Sequence, residues 1–241
     1  MKLALGTVQF GLDYGISNDK GRVSPIEIER ILSTAKQHHI TLLDSAAAYG
    51  DSEIAIGKSS LNTAFDIVTK IPALKGNKPS LIENIKQSLT NLQCKSVDTL
   101  LLHDVADLIS SEYKNITYQQ LNQLKNKKLV NKIGVSLYQP EELIKTTEQF
   151  SIDVVQLPIN CFDQRFNHKK IIENIKSNNI EVHARSVFLQ GLLLMELNSI
   201  PSYFHPYQSR LQKLTDTATM LNCTKLTLAL AYVLSKTFID T

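Results

Sequence analysis

The sequence reads as a (β/α)8 TIM barrel, an α/β fold, in which strand 8 and the final helices are truncated. Short apolar runs alternate with helix-period segments along the whole chain, the pattern of a parallel sheet with crossover helices. The run Val97 to Leu102 is almost continuously apolar, as a strand covered on both faces must be. No GxGxxG follows any strand, which argues against a doubly wound dinucleotide fold. Seven strands and an eighth just begun favour a closed barrel, which typically needs about 250 residues; this chain has 241. No linker tract or composition shift divides it, so one domain over residues 1–241 is expected.

The elements follow in order. Leu3-Ala4-Leu5 is a strand running into the glycine loop Gly6-Thr7. Ser24, Pro25 and Glu27 form an N-cap, a first-turn proline and a capping box, and Ile28, Ile31, Leu32 and Ala35 follow at helical spacing. Thr41 to Asp44 is a strand, Ser52 to Gly57 a short helix, and Ile67 to Lys70 a strand. A helix from Pro79 to Leu92 carries Leu81, Ile82, Ile85 and Leu89 on one face. After strand Val97–Leu102 come a helix from Tyr118 to Leu129, strand Lys132–Val135 and helix Pro140–Gln149. Strand Val154–Leu157, helix His168–Asn178 and strand Ile180–Ala184 complete seven units. A long loop, Phe188–Gln208, precedes helices over Leu211–Leu221 and Leu226–Leu234, and Phe238-Ile239-Asp240 opens another strand. With that strand incomplete, strands 1 and 7 are expected to expose unpaired edges.

Composition excludes several classes. Lys and Arg number 26 against 23 Asp and Glu, a formal charge of +3. The densest basic run, Lys125, Lys127, Lys128 and Lys132, lacks interleaved aromatics and reads as a solvated face, so no nucleic-acid partner is expected. Cys94, Cys161 and Cys223 are far apart and show no ligand spacing, so neither a metal site nor a disulfide framework is expected. No signal peptide or membrane-spanning run is present, and a cytoplasmic protein without a membrane partner is expected.

In an α/β barrel, chemistry sits at the C-terminal ends of the strands. Asp44 ends strand 2, Tyr49 lies in the loop after it, Lys70 ends strand 3 and His103 follows strand 4. Each strand-end residue is about one strand–helix unit from the next, so the four should emerge side by side on one rim. Alone, the Asp is a turn or cap, the Lys a surface cation and the His a structural residue; together they form a site. A Lys beside a Tyr is expected to lower the phenol's pKa, a carboxylate to orient the Lys, and a neutral His to hold a carbonyl oxygen. His183, inside an apolar strand, reads as structural.

Leu5-Gly6-Thr7-Val8-Gln9-Phe10-Gly11 and Asp44-Ser45-Ala46-Ala47-Ala48-Tyr49-Gly50-Asp51-Ser52-Glu53, ending in Gly57, resemble the aldo/keto reductase superfamily. Val68-Thr69-Lys70, Leu102-His103-Asp104, Gly134-Val135-Ser136 and Gln156 match in order and spacing, so the resemblance covers essentially the whole chain. It implies NADPH-dependent reduction of a small aldehyde or ketone, sugar-like compounds included, with NADH the alternative cofactor. By the same resemblance Tyr49 is the proton donor, Asp44 and Lys70 support it, and His103 orients the carbonyl. Ser136 and Gln156 fall where the family holds the nicotinamide carboxamide. Leu189, Gln190 and Gly191 fall in the loop approaching the pyrophosphate, and Gly6 and Thr7 on the pocket floor.

Two positions depart from the family pattern. Leu137 replaces a common Asn, and Arg185 stands where many members stack an aromatic ring on the nicotinamide; a guanidinium can stack as a plane, so Arg185 is a cofactor-binding candidate by the same resemblance. With the incomplete strand 8, these departures support a second reading, a catalytically impaired barrel serving as a binding or regulatory module. A third, an aldolase or isomerase using Lys70 as a Schiff base, fits Tyr49 and Asp44 less well. Oligomeric state and substrate identity stay open at this level.

Overall fold

Period-2 alternation decides which strand side chains enter the barrel and which face the helices. In the computed structural model, which describes residues 3–241, seven strands stand side by side in chain order. They are β1 (Ala4–Gly6), β2 (Leu42–Asp44), β3 (Asp66–Ile71), β4 (Val97–Leu102), β5 (Val130–Ser136), β6 (Val154–Pro158) and β7 (Glu181–Arg185). Every neighbouring pair is parallel. Between and after them lie α1 (Val8–Gly11), α2 (Pro25–Gln37), α3 (Ser52–Lys58), α4 (Leu81–Leu92) and α5 (Ala106–Ile109). The remaining helices are α6 (Lys114–Asn126), α7 (Pro140–Thr147), α8 (Lys169–Ser177), α9 (Gln208–Met220) and α10 (Lys225–Leu234). None of these is long and apolar enough to cross a membrane.

One hydrogen bond measures how far the sheet curls. Gln156 Nε2 on β6 donates to Asp44 Oδ1 on β2 at 3.0 Å. In a flat sheet those strands, four spacings apart, would be separated by about 19 Å. The sheet therefore bends round a lumen, packed at mid-height by Val68, Leu101 and Val154 with Leu42 against them. Outward positions such as Leu43, Ile67, Leu100, Leu102 and Val155 join Ile28, Leu32, Ile85, Leu89 and Leu121 of the helices in the larger core. At the other end of the chain the expected eighth strand does not form, but the last residues lie against β7. Asp240 and Thr241 N–H both donate to Val182 O at 3.0 and 3.1 Å, and Ala184 N–H donates to Thr241 O at 2.7 Å. The Val182–Ala184 edge of β7 is thus partnered rather than bare.

Some local expectations change. Ser24 Oγ accepts from Glu27 N–H, but the Glu27 carboxylate reaches Arg30 at 3.4 Å, so only half the capping box forms. α6 starts at Lys114, before the apolar periodicity does, and α1 and α5 are single turns with too few residues to show a period. The loop after β7 contains three 3-10 turns, Leu192–Leu194, Leu197–Ser199 and Ser202–Tyr207. Lys132 does not belong to a solvated basic face: it sits on β5, as its strand pattern predicts, and pairs with Glu181 Oε2 of β7 at 2.7 Å.

That pair belongs to a polar cluster at the N-terminal end of the lumen. Glu181 Oε1 also accepts from buried His183 Nε2 at 2.9 Å, and Lys132 lies 3.6 Å from Asp98. The His183 hydrogen bond and then the Lys132 ammonium hold the Glu181 carboxyl down at about 2 against an ordinary 4.5. A carboxyl depressed on folding stabilises fully above its ordinary pKa and loses that contribution as pH falls through the folded value. Glu181→Gln should therefore cost about 1–2 kcal/mol near neutral pH. In urea melts the cost should shrink between pH 4.5 and 2; a cost independent of pH would contradict the assignment.

Candidate active site

At the C-terminal end of the lumen, strand ends bring polar groups onto one rim. Lys70, only 1% exposed, places Nζ 2.7 Å from Asp44 Oδ1 and 2.8 Å from Ser45 O. Burial lowers the Lys70 pKa and the Asp44 carboxylate opposes that drop. The same Asp44 oxygen accepts from Gln156, so β2, β3 and β6 meet at one carboxylate.

The loop carrying Tyr49 is held by hydroxyls and by two glycines. Thr7 donates both its N–H and its Oγ1 to Asp44 O at 3.0 Å. Ser52 Oγ lies 2.8 Å from Thr7 O, 2.9 Å from Thr7 Oγ1 and 3.1 Å from Ser45 Oγ, and all three residues are buried. A Cβ at Gly11 would lie 1.8 Å from Tyr49 O, and Gly50 is left-handed at φ +56 with its would-be Cβ 2.6 Å from Gly11 O. The two backbone segments can approach this closely only because neither carries a side chain.

Tyr49 then sits edge-on to His103, with ring centroids 5.9 Å apart and an interplanar angle of 82°. Lys70 Nζ lies 5.1 Å from the Tyr49 ring centroid. Here the expectation of a lowered phenol pKa is corrected. Burial first, then the Asp44 charge, push the Tyr49 hydroxyl well above its ordinary value of 10.0. The cation that pulls the phenol down is Arg185. Burial, Lys70 and Arg185 lower the His103 pKa below 6.5, which keeps the imidazole neutral at pH 7.

The remaining candidates divide into two groups. Ser136, which ends β5, and Gln156, in the middle of β6, are register partners and both buried, and Arg185 ends β7 opposite Pro158. The Ser136 hydroxyl and the Gln156 carbonyl oxygen make no hydrogen bond to another described residue. Gly6 is the register partner of Asp44, and a Cβ there would meet open space, consistent with a pocket floor. Leu189, Gln190 and Gly191 lie further out in a left-handed run, φ 47, 56 and 90. Gln190 O accepts from Ile16 N–H at 2.9 Å, which ties that loop to the one after β1. Sequence reasoning missed Tyr138, whose ring lies 4.3 Å from the Arg185 guanidinium carbon; nothing in the local pattern around Gln139-Pro140 signals it.

The family model described as "Aldo/keto reductase family" matches residues 2–241. Among solved structures, the chain is similar to an aldo/keto reductase from Klebsiella pneumoniae in complex with NADP and acetate. Identity is 18%, covering 97% of this chain and 77% of that one, with TM-score 0.70. An aldo-keto reductase from the same organism in complex with NADPH gives 17% identity, 98% and 78% coverage and TM-score 0.71. One from Bacillus halodurans in holo form gives 20%, 89%, 72% and 0.68. These likenesses show the fold. No curated protein matches the sequence.

The interlock of Gly11 with the Tyr49 backbone gives a direct test. Gly11→Ala drives a Cβ into Tyr49 O and should destabilise the protein by about 1–3 kcal/mol. It should also weaken the Tyr49–His103 packing. Urea unfolding checks the first effect and near-ultraviolet tyrosine dichroism the second; wild-type values for both would contradict the interlock.

Proposed function

The chain belongs to the aldo/keto reductase family, and from that membership we propose that it is a single-domain, NADPH-dependent reductase of small aldehydes or ketones. Sugar-like carbonyl compounds are included, and NADH is the alternative cofactor. The observation that carries the reading is the meeting of Asp44, Lys70, Tyr49 and His103 on one rim of the barrel, at the distances given above. The free hydroxyl of Ser136 and carbonyl oxygen of Gln156 fit the amide of a nicotinamide, and the NADP- and NADPH-bound relatives of the same fold support that fit.

NADPH, when bound, supplies the hydride. The protein's own residues handle the oxygen. Neutral His103 donates a hydrogen bond that orients the carbonyl, and Tyr49 transfers its hydroxyl proton as negative charge develops there. The raised phenol pKa keeps that proton in place over the whole physiological range. Once it has left, the phenolate lies near Lys70, whose Nζ is 5.1 Å from the Tyr49 ring and whose pKa, lowered by burial, Asp44 props up.

Tyr49→Phe should lower kcat for an aldehyde by roughly 100- to 10,000-fold, while NADPH still quenches or enhances fluorescence on titration. Retained turnover would overturn the proton-donor role, and failure of both NADPH and NADH to bind at millimolar concentration would overturn the enzymatic reading. Oxidation of the alcohol requires Tyr49 as phenolate, so its rate should still be climbing at pH 10, where an ordinary phenol is half ionised. A plateau below pH 9 would contradict the raised pKa.

A further inference from the structure

The charges around the site do not cancel, and the surplus lies on Arg185. Asp44 is matched by Lys70 at 2.7 Å. Asp163 is gripped by Arg165 through Nε at 2.9 Å and Nη2 at 2.8 Å. Arg185, by contrast, has no carboxylate among the described residues within ion-pairing distance. Its Nη2 donates to Leu137 O at 2.9 Å and its Nη1 to Ser186 Oγ at 3.2 Å, both neutral acceptors. Its Nε is buried with no acceptor. A guanidinium carries five donors, so most of this one's capacity is unused.

The side chain is nevertheless held in place. Tyr138 stacks on it at 4.3 Å, and the Leu137 carbonyl anchors one end. Leu137 and Arg185, the two departures from the family pattern, are therefore one arrangement: residues 137–138 form the cradle and Arg185 fills it. The group stands at the C-terminal end of β7, on the rim that holds Gln156 and Ser136. Its charge is felt by Tyr49, Lys70 and His103. Holding an unneutralised cation at a partly buried position is costly unless an anion completes it.

Resting on the reductase reading, we propose that Arg185 is a specificity-determining residue that takes a carboxylate on the substrate, so that the chain acts on oxo acids in preference to uncharged carbonyl compounds. A single surplus charge suits a monoanionic carboxylate, which a guanidinium can meet with two parallel hydrogen bonds. A phosphate dianion would need a second cation, and the other cations nearby, Lys70 and Arg165, are already paired.

The test compares matched substrates: 4-oxobutanoate against butanal and glyoxylate against glycolaldehyde, with saturating NADPH. Wild type should favour the acid of at least one pair by tenfold or more in kcat/KM. Arg185→Met should cut that ratio at least tenfold, and Arg185→Lys should restore part of it. An unchanged ratio overturns the proposal. So does an unchanged ratio accompanied by weaker NADPH binding, which would assign the guanidinium to the cofactor's phosphates. Calorimetric titration with two inert ligands, succinamate and neutral succinamide, separates this proposal from the reductase reading. Succinamate binding selectively to wild type and not to Arg185→Met upholds the carboxylate site even where no aldehyde is reduced; equal binding of the two ligands refutes it.

Discussion

A lysine ammonium buried to 1% exposure needs a counter-charge within contact distance, and here that charge is Asp44. The pairing sets the rest of the site. It ties the end of β3 to the end of β2, and through Gln156 it reaches across the lumen to β6. It fixes Ser45, whose carbonyl accepts from Lys70 and whose hydroxyl joins those of Ser52 and Thr7. The loop that starts there delivers Tyr49 against His103. After burial, the same carboxylate is what raises the Tyr49 pKa most, so Asp44 helps both to position the phenol and to keep it protonated.

The lumen is a stack of three environments. Glu181, His183 and Lys132 form a polar cluster at one end, Val68, Leu101 and Val154 a dry middle, and Asp44, Lys70, Gln156 and Arg185 a charged rim. At the first end the carboxylate is shared between two donors and held far below its ordinary range. At the rim one cation is left over. A change at Glu181 is a matter of stability, whereas a change at Arg185 is a matter of what the rim attracts.

Much of this was legible in the sequence, for geometric reasons. Parallel strands in one-to-one register bring successive strand ends together, so Asp44, Lys70 and His103 could be placed on one rim from their spacing alone. The core-facing apolar positions of α2 and α4 read correctly because helical periodicity records burial directly. Other features depend on partners far away in the chain. The cradle of Arg185 joins residues 48 apart, and no local pattern announces it. The direction of the Tyr49 pKa reflects burial and a carboxylate outweighing the cations, a balance that residue types cannot supply. Glu27 fitted a capping box by position, yet Arg30 on the same helix face took its carboxylate.

The central claim is that the Lys70–Asp44 pair organises the rim, and a double-mutant cycle measures it directly. Asp44→Asn, Lys70→Met and the double variant would be compared with wild type in urea unfolding. Asp44→Asn strands a buried ammonium and should cost about 3–5 kcal/mol. The double variant should recover part of that loss, giving a coupling of at least about 1.5 kcal/mol between the two sites. Losses that add to within about 0.5 kcal/mol would mean that the two residues act independently, and would contradict the account.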